Sequence, residues 1–142
     1  MKKSNKNFFR KLNSLPVDKF FFKVLYDNKY GYYSTRKPFG AKGDYITAPN
    51  ISHLFCEIIA IWLISTWETF GKPKSFNIVE LGPGDGTLTK NLFKTFKKFP
   101  KFNNSKNLYL YEISNFLIKK QKQNIKNEKV KWIENFDSIK KG

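Results

Sequence analysis

Residues 80 to 87 read Glu80-Leu81-Gly82-Pro83-Gly84-Asp85-Gly86-Thr87, directly after the apolar run Phe76-Asn77-Ile78-Val79. Three glycines alternating with other residues straight after a strand-like run suggest backbone brought close to a ligand, because a residue without Cβ permits that approach. The run Phe76 to Leu81 is short and nearly unbroken, as expected of a parallel strand covered on both faces. Thr87 to Phe99 carries Leu88, Leu92, Phe93 and Phe96 at helical spacing. Leu108 to Tyr111 reads as a second strand, Ser114 to Lys126 as a second helix and Val130 to Ile133 as a third strand. Strand, helix, strand, helix, strand predicts crossover units in a parallel sheet, an α/β Rossmann-like half-domain.

Which ligand the glycines serve depends on their neighbours. A Walker phosphate loop needs Lys and then Ser or Thr after its last glycine, whereas Gly86 is followed by Thr87-Leu88 and the first lysine is Lys90. A dinucleotide fingerprint wants glycines at positions one, three and six; Gly82 and Gly84 comply, but Thr87 holds the sixth place. What remains is acidic-x-Gly-x-Gly-x-Gly, carried by Glu80, Gly82, Gly84 and Gly86, which resembles the first motif of class I S-adenosylmethionine-dependent methyltransferases. The glycines would pass beneath the amino-acid end of the ligand, with the positive end of the following helix near its carboxylate. Glu80 would offset its ammonium. Glu112, ending Leu108-Tyr109-Leu110-Tyr111-Glu112, stands where a carboxylate could accept hydrogen bonds from both ribose hydroxyls. The plainer alternative is a tight strand-to-helix turn with Glu112 as an exposed strand end.

The chain's 142 residues, 40% of them hydrophobic and 18% aromatic, suffice for one domain with a real core. A single cysteine, Cys56, excludes an intramolecular disulfide and a cysteine-cage metal site, and suits a reducing compartment. The net charge of +16 invites a nucleic-acid reading, but of the 27 basic residues only Arg10 and Arg36 are arginine. Arginine is the usual residue for bidentate phosphate recognition, so solvated lysine faces are the expectation and no specific nucleic-acid surface is assigned. Met1-Lys2-Lys3-Ser4-Asn5-Lys6-Asn7-Phe8 lacks the apolar stretch of a secretory signal. The most apolar window, Leu54 to Trp67, contains Glu57 and falls short of the roughly 20 residues of a membrane span. It reads as a buried helix, and no transmembrane segment is expected.

Ahead of the glycine turn, Leu15-Pro16-Val17-Asp18 looks like a helix start, with Phe20, Phe21, Val24 and Leu25 spaced for a buried face and a stop near Asp27-Asn28. Gly31 to Gly43 has too many turn residues for a helix and reads as an ordered aromatic loop. A long helix should then run from about Pro49 to Phe70, with Thr47 as N-cap and Gly71-Lys72-Pro73 as its stop. These signals divide the chain into an N-terminal helical and loop region, 1–74, and the first half of a ligand-binding Rossmann-like domain, 75–142. His53, Cys56 and Glu57 share one helix, but a lone imidazole in an apolar helix is more often packed than ligating, so no metal is assigned.

Three stretches together resemble a particular family. Gly31-Tyr32-Tyr33-Ser34 through Gly43-Asp44-Tyr45-Ile46-Thr47-Ala48-Pro49, then Glu80 to Leu88, then Tyr111-Glu112-Ile113-Ser114 through Gln121, are similar to the MidA-like S-adenosylmethionine-dependent methyltransferases. The resemblance implies a class I methyltransferase fold and places Gly43, Asp44 and Thr47 in the pocket wall. It also implies methylation of a protein arginine, in mitochondrial members on a subunit of respiratory complex I whose assembly they support. The location would be the bacterial cytoplasm, or the mitochondrial matrix in a eukaryote. Asn50 replaces a usual glutamate, Cys56 a small residue and Asp85 a common arginine. Asn50 removes the side chain that would complete a capping box with Thr47.

The family's chains are more than twice as long and set a fourth strand beside the first, with the cleft between them. The expectation is therefore a fragment holding the first three parallel strands. Its first strand edge would need the missing half, or another chain, to cover it. In isolation such a piece should bind S-adenosylmethionine poorly and turn over nothing. No catalytic residue is assigned. Two alternatives stay open, a non-catalytic binding or assembly module on the same fold and a basic RNA-associated protein.

Overall fold

The computed structural model describes residues 8, 10, 12, 14–36, 38, 43–126 and 128–139. Helix α1, Val17–Tyr26, begins after Pro16 and ends at Asp27. It is followed by the single-turn helices α2, Tyr32–Thr35, and α3, Ala48–Ile51, and then by α4, His53–Thr69. The remainder alternates: β1 Phe76–Leu81, α5 Thr87–Phe96, α6 Pro100–Ser105, β2 Lys106–Tyr111, α7 Asn115–Asn124, β3 Val130–Ile133, and a 3-10 turn at Phe136–Ser138. The three strands are parallel, in the order β1-β2-β3, with Ile78 beside Leu108 and Leu108 beside Val130. The fold is the expected partial Rossmann-like α/β sheet behind an N-terminal helical region.

The register puts Phe76, Ile78, Leu108, Leu110, Val130 and Trp132 on one face of the sheet, where they meet Ala60, Ile64, Leu92, Phe93 and Phe96 from α4 and α5. Alternation along each strand makes that face continuous. β1 nonetheless departs from the both-faces-covered expectation: none of its residues is buried, and Leu81 is 64% exposed. As the sheet's edge strand, β1 has one strand neighbour among the described residues, which leaves its side chains only partly covered.

Four N-terminal readings need correction. The helix expected from Pro49 to Phe70 is two helices, broken at Ser52, whose backbone is extended (φ −138°, ψ 122°). Serine is common at such boundaries, although here its hydroxyl makes no cap bond. α4 is not a buried helix. Cys56, Ala60, Ile64 and Trp67 form its buried stripe against α5, while Leu54, Ile58, Ile61 and Trp62 (60% exposed) face outward, because only one side meets a neighbour. Phe21, expected on the inner face of α1, is 55% exposed. Finally, Gly31 to Gly43 contains a helical turn, α2, in which Thr35 Oγ1 donates to Gly31 O at 2.8 Å; residues 37 and 39–42 lie outside the described ones. No helix among the described residues is long and apolar enough to cross a membrane.

Candidate functional site

The parallel ladder runs on past β1. Gly82 N donates to Tyr111 O at 2.9 Å, fixing the start of the glycine turn beside the end of β2, one residue before Glu112. Gly82, Gly84 and Gly86 all take the left-handed conformation, with φ of 61°, 59° and 81°. L-residues pay about 1–2 kcal/mol there, which accounts for the alternation of glycines. Gly82 and Gly86 otherwise serve opposite ends. A Cβ on Gly82 would meet nothing within 4 Å, so the backbone there is bare. A Cβ on Gly86 would lie 2.9 Å from Ile125 Cδ1 and 3.4 Å from Gln121 Cα, so Gly86 is where the turn packs against α7.

Two clefts meet at the turn. One, of about 240 Å³, lies between β1 and α3 and is lined by Thr47, Pro49, Glu80, Gly82, Gly84 and Thr87 among others. The other, of about 140 Å³, is lined by Tyr26, Tyr33, Gly82, Gly84, Glu112 and Leu117. They share Gly82 and Gly84. Glu80 and Glu112 therefore stand on either side of exposed glycine backbone, one at each strand end.

The two carboxylates are held differently. Glu112 is buried; Oε1 accepts from the amides of Ile113 and Ser114, both at 2.9 Å, and Oε2 from Gln121 Nε2 at 3.2 Å. Its charge reaches Tyr26, whose phenol is pushed up first by burial and then by Glu112. Glu80 accepts from the Thr89 hydroxyl on α5. Burial pushes its carboxyl above the ordinary value of 4.5, and the Thr89 bond works against that push. A folded-state value above the unfolded one means that the unfolded chain releases this proton first. Glu80 therefore costs stability as pH rises from about 4.5 through the raised value. In urea unfolding at about pH 4 and about pH 7, Glu80→Gln should lose less stability across the interval than the parent chain; parallel losses would show that Glu80 is not the source.

Of the residues expected in the site, Glu80, Gly82, Gly84 and Thr47 line the first cleft, and Glu112 joins Gly82 and Gly84 in the second. Gly86, buried, lines neither. Nor do Gly43 and Asp44; Asp44 is exposed and its Oδ2 accepts from the Tyr32 phenol at 2.6 Å. The Thr47 hydroxyl accepts from Asn50 Nδ2 at 2.9 Å and makes no cap bond to α3. Asp85 Oδ1 accepts from Thr87 N at 3.0 Å, occupying one of the free amides at the start of α5. Tyr26, Tyr33 and Gln121 were not among the expected site residues. Gln121 was findable: it sits midway between Leu117 and Ile125 at spacings of four, a polar residue on an apolar helix face. Among the described residues no group of three His, Cys, Asp or Glu side chains could hold a metal ion.

The sequence profile of a family described as "Putative S-adenosyl-L-methionine-dependent methyltransferase" matches residues 58–142. The chain is 43% identical over 109 residues to a Drosophila melanogaster protein, "Protein arginine methyltransferase NDUFAF7 homolog, mitochondrial", covering 77% of this chain and 25% of that one. To the Homo sapiens "Protein arginine methyltransferase NDUFAF7, mitochondrial" it is 38% identical over 118 residues, covering 82% and 27%. It thus spans about a quarter of the length of the curated relatives it matches. A crystal structure of a Burkholderia thailandensis protein bound to S-adenosyl-homocysteine superposes on 92% of this chain and 36% of its own, with a TM-score of 0.73 at 21% identity, a likeness of fold. The profile match over most of the chain, the curated relatives and the parallel sheet with its glycine turn agree: the chain belongs to the MidA-like family of class I S-adenosylmethionine-dependent methyltransferases.

Proposed function

We propose that the trough at the glycine turn binds S-adenosylmethionine and that the chain forms the cofactor half of a protein arginine methyltransferase. The observation that carries this reading is the bare backbone of Gly82, flanked by Glu80 on one side and by the fixed carboxylate of Glu112 on the other. The donor set fits the ligand. A sugar hydroxyl needs an acceptor, which Glu112 supplies, and an ammonium needs a negative or acceptor group, which Glu80 supplies. When bound, S-adenosylmethionine supplies a methyl group on a positively charged sulfur, open to in-line displacement by a nucleophilic nitrogen. The residues of this chain bind and orient; rate enhancement from such sites comes mainly from positioning. The names of the matched relatives support a protein arginine as acceptor and the mitochondrion as location. The family resemblance supports a complex I subunit as the protein that carries it, and a further stretch of polypeptide as the cover of the β1 edge.

Titration of S-adenosylhomocysteine into the chain, followed by NMR so that millimolar binding is measurable, should shift the amides of Gly82, Gly84 and Ser114. Glu112→Ala should weaken binding about tenfold, the scale of one charge-assisted hydrogen bond. Unmoved glycine amides at saturating ligand would overturn the reading, and equal affinities would remove Glu112 from the site. Asp85 gives a change of opposite sign. Its charge sits where the ligand's carboxylate would approach, and two unit charges about 7 Å apart repel by about 0.6 kcal/mol in water. Asp85→Asn keeps the acceptor for Thr87 N and removes the charge, so it should bind S-adenosylhomocysteine about threefold more tightly with little change in stability. Weaker binding would show that the carboxylate lies elsewhere.

A further inference from the structure

Thr89 is fully buried in the first turn of α5, and its hydroxyl donates to Glu80 Oε2 near the end of β1. A threonine inside a helix often turns its hydroxyl back on the carbonyl four residues earlier. Here that carbonyl, Asp85 O, accepts from Asn124 Nδ2 of α7 at 2.8 Å, and the threonine hydroxyl reaches across to the strand. A hydroxyl has one proton to donate, and at Thr89 it goes to the carboxylate. With no exposed surface, Thr89 cannot touch a ligand. Whatever it does for the first cleft it does through Glu80.

Glu80 lines that cleft together with Thr47, Asp85 and Thr87. Among the described residues its carboxylate has no second hydrogen-bond partner, which leaves Oε1 for a ligand. Burial opposes the charge that an ammonium requires and pushes the carboxyl above 4.5, whereas a hydrogen bond to the ionised form works the other way. The titratable groups around it are Cys56 on α4, whose thiol is pushed up first by burial and further by the Glu80 charge, and Asp85 at the cleft. Lys94 of α5 registers at Cys56 and not at Glu80. The balance at Glu80 is therefore struck between burial and the Thr89 hydroxyl.

We propose that Thr89 is a positioning residue of the cofactor site, holding Oε2 of Glu80 so that Oε1 meets the ammonium of the ligand's amino-acid end. Without the hydroxyl, the carboxyl turns more freely, keeps its proton to higher pH and loses its hold on the ammonium. The inference rests on the S-adenosylmethionine reading above and concerns how that site recognises a cationic nitrogen.

Two ligands separate this role from packing: S-adenosylhomocysteine, which carries the ammonium, and 5′-methylthioadenosine, which has the same nucleoside and no amino-acid end. Both are titrated by NMR into the parent chain, Thr89→Val and Thr89→Ser between about pH 5 and about pH 8, the range that spans a raised carboxyl. The Glu80 carboxyl carbon, followed by 13C NMR without ligand, should titrate about one pH unit higher in Thr89→Val than in the parent, a tenfold change in the balance of its two forms. S-adenosylhomocysteine affinity should rise with pH in both, and later in Thr89→Val by the same interval. Between the two midpoints Thr89→Val should bind it up to about tenfold more weakly. Asp85 acts on the ligand's carboxylate with the opposite sign and is common to every variant, so the displacement between profiles carries the test. Thr89→Ser keeps the hydroxyl and should restore the parent profile, while 5′-methylthioadenosine should bind all three chains alike. Thr89→Ala takes the place of Thr89→Val if that variant does not fold. Equal weakening of both ligands would mean that Thr89 only packs and would overturn the inference, as would a Glu80 carboxyl that titrates alike with and without the hydroxyl. If the parent binds S-adenosylhomocysteine but the profiles coincide, the inference alone fails; if the parent binds neither ligand, the cofactor reading fails and takes the inference with it.

Discussion

Gly86→Ala should lower the unfolding free energy by about 2–4 kcal/mol, well beyond the effect of the same change at Gly82. Both positions hold a left-handed backbone, at φ of 81° and 61°, so both substitutions carry about 1–2 kcal/mol of strain. Only at Gly86 does the new methyl group collide with anything, 2.9 Å from Ile125 Cδ1. Ile125 is itself 3% exposed, so its Cδ1 must give way inside the core, and overpacking adds about 1–2 kcal/mol. Against a total stability of about 5–15 kcal/mol for a domain of this size, the loss is large. Urea unfolding of the two variants measures it. Gly82→Ala should lose only the strain but bind S-adenosylhomocysteine weakly, because its methyl group stands on the bare backbone that lines both clefts. A Gly86→Ala variant as stable as the parent, or less affected than Gly82→Ala, would contradict this division of labour.

That division shows where sequence reading stops. The motif Glu80-x-Gly82-x-Gly84-x-Gly86 announces a strand-to-helix turn with positive φ, and the structure has one. Spacing cannot distinguish a glycine kept bare for a ligand from one kept small for a helix, because the atoms that decide lie 35 to 39 residues further on, in Gln121 and Ile125. Strands β1 and β3 were legible to the residue, since a short apolar run between turn signals has few other readings. Glu112 was legible because strand ends in such sheets point at the cleft. Gln121 was legible as a polar residue on an apolar helix face, but its role was not, because its partners Gly84, Glu112 and Trp132 are far apart in sequence. The N-terminal region was read least well. In α4 ten of the eleven positions from Leu54 to Ile64 are apolar, so periodicity could not mark which face is inside, and a helix exposing Leu54, Ile58 and Trp62 reads the same as one buried all round.

Phe102→Ala should be the most destabilising single truncation considered, at about 3–5 kcal/mol, and should leave ligand affinity alone. The ring is fully buried at the sheet end away from the glycine turn, with centroids 5.6 Å from Trp67, 5.2 Å from Phe76 and 4.8 Å from Phe96. These contacts join α4, β1 and α5 through a residue of α6, so truncation leaves a cavity bounded by four elements, and large-to-small changes at such sites carry both a transfer and a cavity cost. Edge-on and tilted ring pairs add to the loss beyond buried area. Phe76 opens β1 and Leu81 closes it, which puts the cluster roughly 17 Å from the turn at 3.3 Å per strand residue. Stability and site geometry should therefore separate. Urea unfolding should show the full loss, while the fraction still folded at low temperature should bind S-adenosylhomocysteine as the parent does. A loss under about 1 kcal/mol would mean that the cluster is not the core it resembles. A change in affinity at full folding would mean that the packing between α4 and α5 reaches the cleft, making the glycine turn less self-supporting than its own hydrogen bonds imply.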